Sequence, residues 1–164
     1  MKIRAPAKIN LSLRVVGRRA DGYHLLDTIM LPVSLYDDIE IRKVRIHAKN
    51  KKLAPPSIEV ICNHPLVPND ETNLVYRAAR LLLEKAKSEQ PIEIRIRKRI
   101  PVGAGLGGGS TDAAATLVGL NRLLKLGFTE KKLERLGLKL GADVPFFIRG
   151  GAARARGIGG RLQQ

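Results

Sequence analysis

Along the first part of the chain, apolar Ile9, Leu11, Leu13 and Val15 alternate with polar Asn10, Ser12 and Arg14. A period of two predicts a half-buried strand, with Lys8 and Asn10 together on its polar face. Residues 17–22 have turn composition, and Asp21-Gly22 is a hairpin signal. A second apolar stretch runs from Leu25 to Leu35. Asp37-Asp38 then predicts another turn, and Ile39, Ile41, Val44 and Ile46 a third strand. Ser57 to Cys62 predicts a short strand. The period changes over 73–88, where Leu74, Val75, Ala78, Leu81, Leu82 and Ala86 form the apolar stripe of a helix that Thr72 or Asn73 can cap. Ile92, Ile94 and Ile96 alternate with Glu93, Arg95 and Arg97, a strand that ends by Pro101. A glycine-rich loop follows, then an alanine-rich helix from Ser110 to Leu124 and a helix from Thr129 to Leu140, closed by Gly141. A strand-rich start followed by mixed helices and strands predicts an α+β fold. From Arg149 to Arg161 the chain is rich in Gly and Arg and continues none of these patterns, so 149–164 reads as a tail or a junction.

Composition narrows the class. The 164 residues, 44% hydrophobic and 27% charged, suffice for one domain with a core and argue against disorder. No apolar run reaches the roughly 18 residues of a membrane-spanning helix, and the N-terminus lacks the apolar core of a secretory signal. A single cysteine, Cys62, excludes a disulfide framework and a multi-cysteine zinc site. A reducing, cytoplasmic setting is the expectation. The net charge of +15 favours anionic partners: nucleic acid, anionic lipid or phosphorylated small molecules. A compositional bias toward arginine explains it equally. The basic run over 42–52 has no interleaved aromatic residue for base stacking and reads as a solvated loop.

Two segments carry candidate chemistry. In PVGAGLGGGSTDAAATLVGL, residues 101–120, five glycines fall between 103 and 109, after a strand and before a helix. A helix N-terminus offers unpaired N–H groups and about half a positive charge, and glycines let a ligand approach the backbone. Ser110 and Thr111 add hydroxyls. The combination predicts a phosphate cradle. A tight packing turn is the plainer reading. No Lys-Ser/Thr follows the last glycine, so this is not a Walker A loop. The second segment, GADVPFF at 141–147, holds a lone acid in apolar surroundings. Asp143 is either a turn or cap residue before Pro145, or a general base kept ionised by a cation such as Lys8. The three histidines show no metal-ligand spacing.

PAKINLSLRVVGRRADGYH at 6–24, PVGAGLGGGSTDAAATL at 101–117 and GADVPFF at 141–147, with VPNDETNLVYRAARLL at 67–82, together resemble the GHMP kinases, named for galactokinase, homoserine kinase, mevalonate kinase and phosphomevalonate kinase. The resemblance implies the family's N-terminal domain over residues 1–148, a fold similar to a domain of a ribosomal protein. It implies a junction over 149–164 to a second domain that the chain lacks. It also implies an ATP-dependent small-molecule kinase of isoprenoid precursor synthesis, acting on the 2-hydroxyl of a cytidine-diphosphate-linked methylerythritol. By motif match, Asp143 would be the base and Lys8 its partner. Asn10 would hold the substrate, and Tyr23 and His24 its cytosine end. Gly103, Gly105, Leu106, Gly107, Gly108, Gly109, Ser110 and Thr111 would cradle the ATP phosphates, a side chain at Gly107 intruding where they approach. Asn73 and Leu74 would lie near the adenine. Mg²⁺ would accompany ATP, held mostly by phosphates and water, with no protein ligand assigned. The family usually has an acid where this chain has Gly160. An uncovered domain face implies self-association, and the missing domain implies weakened transfer. The competing reading is a basic nucleic-acid-binding module with the ribosomal-protein-like fold.

Overall fold

A computed structural model describes residues 1–18, 24–44, 57–157 and 161–163. The chain opens with two long antiparallel strands, β1 (Lys2–Arg18) and β2 (His24–Lys43), paired from Lys2 opposite Glu40 to Arg18 opposite His24 with register shifts at Pro6/Ala7, Asn10/Ser12 and Val15/Gly17. β2 is the spine of the sheet. Its second half pairs with β4 (Ile92–Arg97), which runs parallel to β3 (Ile58–Cys62). Its first half pairs with β5 (Ala153–Gly157), which pairs in turn with β6 (Arg161–Gln163).

Four helices complete the fold: α1 (Leu74–Ala86), α2 (Gly108–Leu123), α3 (Glu130–Leu138) and α4 (Val144–Arg149). Asn73 and Thr129 cap α1 and α3 through their side-chain oxygens. The core lies between the helices and one face of the sheet. Ile39, Ile41, Ile92, Ile94 and Ile96 on the strands meet Leu82 and Leu83 of α1 and Leu117 and Leu120 of α2. The alanines of α2 let it lie close. At Gly119 a Cβ would run into Ile3 Cδ1 and come within 2.7 Å of Ile41 Cδ1.

Three expectations are corrected. Ile9, Leu11, Leu13 and Val15 do not face a core: they are 38%, 64%, 56% and 62% exposed. The helices cover the half of the hairpin that holds Ala5, Ile39 and Ile41, and residues 9–16 are exposed on both faces. Lys8, expected on a polar face, is buried instead. Second, Asp37-Asp38 makes no turn, and β2 runs straight through it. Asp37 shares the parity of Ile39 and Ile41, points inward, and accepts the backbone N–H groups of Arg99 and Ile100 at 2.6 and 2.9 Å. Third, the Gly/Arg-rich end is not outside the fold. Its Ala-Arg-Ala-Arg stretch is itself a period-two pattern. Ala153 and Ala155 are buried against Met30 and Phe146, while Arg154 forms a two-pronged pair with Asp27. Of the basic run, residues from Arg45 on lie outside the described part, as does Gly160.

Candidate active site

The glycine loop leaves β4 at Lys98 and ends at Gly107, the residue before α2. Gly103, Gly105 and Gly107 all have φ between 73° and 76°, the left-handed region that glycine reaches without steric penalty. Nothing lies within 4 Å of a Cβ built on Gly103 or Gly105, so the conformation alone requires glycine there. Gly107 is different. A Cβ would come within 2.8 Å of the Phe147 ring and 3.2 Å of Lys8 Cγ. A side chain here would meet Phe147 and Lys8. Gly107 stands at the N-cap of α2 with no side chain to cap the helix, leaving the first N–H groups of α2 without a side-chain acceptor.

These N–H groups border a cavity of about 340 Å³. Its walls are the loop from Gly103 to Ser110, Asn73 and Leu74 at the start of α1, and the side chains of Lys98 and Asp112. Its size is that of a small-molecule site. Leu74 packs against Gly109. Both ends of the Asn73 amide are engaged, Oδ1 accepting from Val75 N at 2.8 Å and Nδ2 donating to Pro68 O at 2.6 Å. Ser110 lines the cavity, whereas Thr111 is buried and is not among the lining residues. A larger groove of about 600 Å³ lies on the far face of the sheet, among Arg4, Asp38, Cys62 and Arg97. It touches neither the loop nor Asp143, and the smaller cavity is the one that a helix N-terminus serves.

The strand edge of β1 holds the loop in place, since Lys8 N donates to Leu106 O at 2.9 Å. The Lys8 side chain is buried. Its Nζ lies 3.8 Å from Asp143 Oδ2 and 3.4 Å from Asn10 Oδ1. Asp143 occupies the N-cap position of α4, yet its carboxylate makes no capping hydrogen bond and lies beside Lys8, a third exposed. Phe147, one turn along α4, lies against the Gly107 backbone, and Ser110 Oγ lies 3.7 Å from a Cβ built on Gly141. The structure thus brings together Lys8, Asn10, the loop and Asp143, from three segments far apart in sequence. Tyr23 and the side chain of His24 lie outside the described residues. Among the described residues, no group of three or more His, Cys, Asp or Glu side chains able to hold a metal ion is present.

One cluster was not anticipated from the sequence. Lys98 Nζ donates to Asp37 Oδ2 at 2.5 Å and to Asp112 Oδ2 at 2.9 Å, and all three residues are buried. Burial works against the Lys98 ammonium, but the two carboxylates outweigh it and hold its pKa above the ordinary lysine value. Burial pushes the Asp112 carboxyl up to about 7, although Lys98 pulls the other way. The signal was parity. Lys98 continues the buried phase of Ile92, Ile94 and Ile96, and Asp37 shares that of Ile39 and Ile41. A charge on a core phase implies a buried partner.

Comparison with known proteins bears on the fold and the family. The family described as GHMP kinases N terminal domain matches residues 73–151. The chain is 51% identical over 163 residues to a 4-diphosphocytidyl-2-C-methyl-D-erythritol kinase of Cyanothece sp., covering 96% of this chain and 50% of that protein. It is 45% identical over 164 residues to the kinase of the same name from Clostridium beijerinckii, covering 100% and 55%. A crystal structure of 4-(cytidine 5'-diphospho)-2C-methyl-D-erythritol kinase superposes with a TM-score of 0.80 at 44% identity, over 99% of this chain and 54% of that one. The mevalonate kinase of Methanococcus jannaschii shares the fold, with a TM-score of 0.71 at 16% identity, over 100% and 55%. The chain spans about half the length of the curated relatives it matches. No helix among the described residues is long and apolar enough to cross a membrane. With its glycine loop, its fold and its relatives in agreement, the chain carries the N-terminal domain of the GHMP kinases.

Proposed function

We propose that this chain supplies the ATP-binding and catalytic half of a kinase that phosphorylates the 2-hydroxyl of 4-diphosphocytidyl-2-C-methyl-D-erythritol, on the non-mevalonate route to isoprenoid precursors. The observation that carries this reading is the meeting of Lys8, Gly107 and Asp143 beside the cavity at the α2 N-terminus. The names of the relatives point to the same substrate.

Phosphoryl transfer asks a protein mainly for positioning and charge neutralisation. In this reading the first N–H groups of α2 receive the phosphates of ATP, and Asn73 and Leu74 border its adenine. The attacking 2-hydroxyl gives its proton to Asp143 Oδ2 as its oxygen bonds the γ-phosphorus and the bond to ADP breaks. Lys8 orients Asp143 and offsets charge as the phosphoryl group moves. Asn10 holds the substrate near both, with Tyr23 and His24 toward the cytosine. Mg²⁺ enters only as the counter-ion of ATP. Among the described residues no three His, Cys, Asp or Glu side chains gather to hold a metal, so the phosphates and water would supply most of its ligands. The comparisons give the nucleic-acid-binding alternative no support.

The test is Asp143→Asn in a chimera that joins this chain to the C-terminal half of the Cyanothece relative. The substitution keeps size and polarity and removes the base. Transfer falls by about 10²–10⁴ while ATP and the cytidyl substrate still bind. Near-normal turnover would return Asp143 to the role of a turn residue before Pro145.

A further inference from the structure

Two buried ionisable residues bracket the glycine loop and have no task in the reading above. Lys98 precedes the loop and Asp112 follows it, just past the first turn of α2. Both line the cavity. Lys98 Nζ also sits against the helix start, 2.9 Å from a Cβ built on Gly108. Asp37, the third member of the cluster, is well satisfied by Lys98 and by the N–H groups of Arg99 and Ile100. Asp112 is not. Its Oδ2 accepts from Lys98, but its Oδ1 is buried with no hydrogen-bond partner. A buried carboxylate oxygen without a donor is costly. With both acids ionised, one ammonium faces two carboxylates, and the cluster carries one net negative charge. That charge stands in the wall of the same cavity that the α2 N-terminus and the glycine loop line, where low dielectric strengthens repulsion.

We propose that Asp112 is the charge compensator of this cavity: when the phosphates of a nucleotide enter, its carboxylate takes up a proton from solvent, and Lys98, freed of one of its two anions, directs its charge at the phosphates. The proton comes from the buffer acid and bonds to the Asp112 carboxylate. No bond to the nucleotide forms or breaks, and the cluster passes from one net negative charge to zero. The inference rests on the kinase reading only in taking a nucleotide as the occupant.

The resting state suits the device. Burial raises the Asp112 carboxyl to about 7, so slightly above neutral pH it is mostly ionised and a nearby polyanion is enough to tip it. The ionisable groups set against it are Lys98 at the exit of β4, Asp37 on β2 and, on β3, Cys62. Burial holds the Cys62 thiol above its usual range, so it stays neutral under these conditions. Lys98 stays charged, its pKa held above the ordinary value.

The experiment is calorimetric titration of the 164-residue protein with ATP in EDTA, about one pH unit above the Asp112 value, in two buffers of different ionisation enthalpy. The binding enthalpy differs between the buffers by the equivalent of a large fraction of one proton taken up per ATP. In Asp112→Asn, neutral from the start, the two enthalpies coincide. Without any substitution, the infrared difference spectrum on ATP addition gains the C=O stretch of a neutral aspartic acid. ATP binding with equal enthalpies in the two buffers, or uptake that persists in Asp112→Asn, or a spectrum without the neutral-acid band, would overturn the inference and leave the kinase reading standing. Failure of the unsubstituted protein to bind ATP would overturn both.

Discussion

Gly107 carries the most information of any single residue in the site. Its φ of 73° excludes most side chains at a cost of about 1–2 kcal/mol, and the same holds for Gly103. Only at Gly107 does a Cβ also meet a neighbour, the Phe147 ring on one side and Lys8 on the other. The two positions therefore separate conformation from contact. Gly107→Val displaces Phe147 and Lys8 together, and ATP affinity falls at least about tenfold, equivalent to about 1.4 kcal/mol. Gly103→Ala, which meets nothing, loses less than that. Titration of both folded variants with ATP checks the order. Equal losses would mean that the contact of Gly107 with Phe147 and Lys8 plays no part in binding.

At the scale of elements, α2 connects core to site. Its alanines and Gly119 let it sit close to the sheet at Ile3 and Ile41, and that seat fixes where its N-terminus points. Gly119→Ala forces Ile3 and Ile41 to move and destabilises the protein by about 1–3 kcal/mol in a urea unfolding series, overpacking outweighing the better helix propensity of alanine. An unchanged midpoint would mean that the two isoleucines yield freely. α1, α2, α3 and β4 were legible in the sequence because their patterns are long, and Asn73, one of the two caps expected for α1, caps it in the structure; the six-residue α4 was too short to show a pattern. The hairpin was read less well. Alternation shows which residues share a face but not whether a helix covers that face, and for Ile9, Leu11, Leu13 and Val15 none does. Asp37-Asp38 misled because an acidic pair usually marks a turn, whereas Asp37 is a buried acceptor for the start of the glycine loop. The end of the chain misled through composition, as glycine and arginine hid the small-residue face of β5.

At the scale of the whole molecule, a net charge of +15 draws phosphorylated ligands toward the surface without saying where they stop. The two larger concavities described above are candidates. The larger, on the far face of the sheet, sets Arg4 and Arg97 beside Asp38 and has no helix N-terminus. The smaller joins the uncapped start of α2 to Lys98, with Lys8 and Asp143 alongside. Only the second offers backbone donors to a phosphate together with a base for the group that attacks it. Amide shift mapping by NMR as ATP is added decides between them in one measurement. The account predicts that the amides of Gly105 to Ser110, Lys8 and Asn73 shift together and saturably, while those of Arg4, Cys62 and Arg97 stay in place. Shifts centred on Arg4, Cys62 and Arg97, with a silent glycine loop, would contradict it.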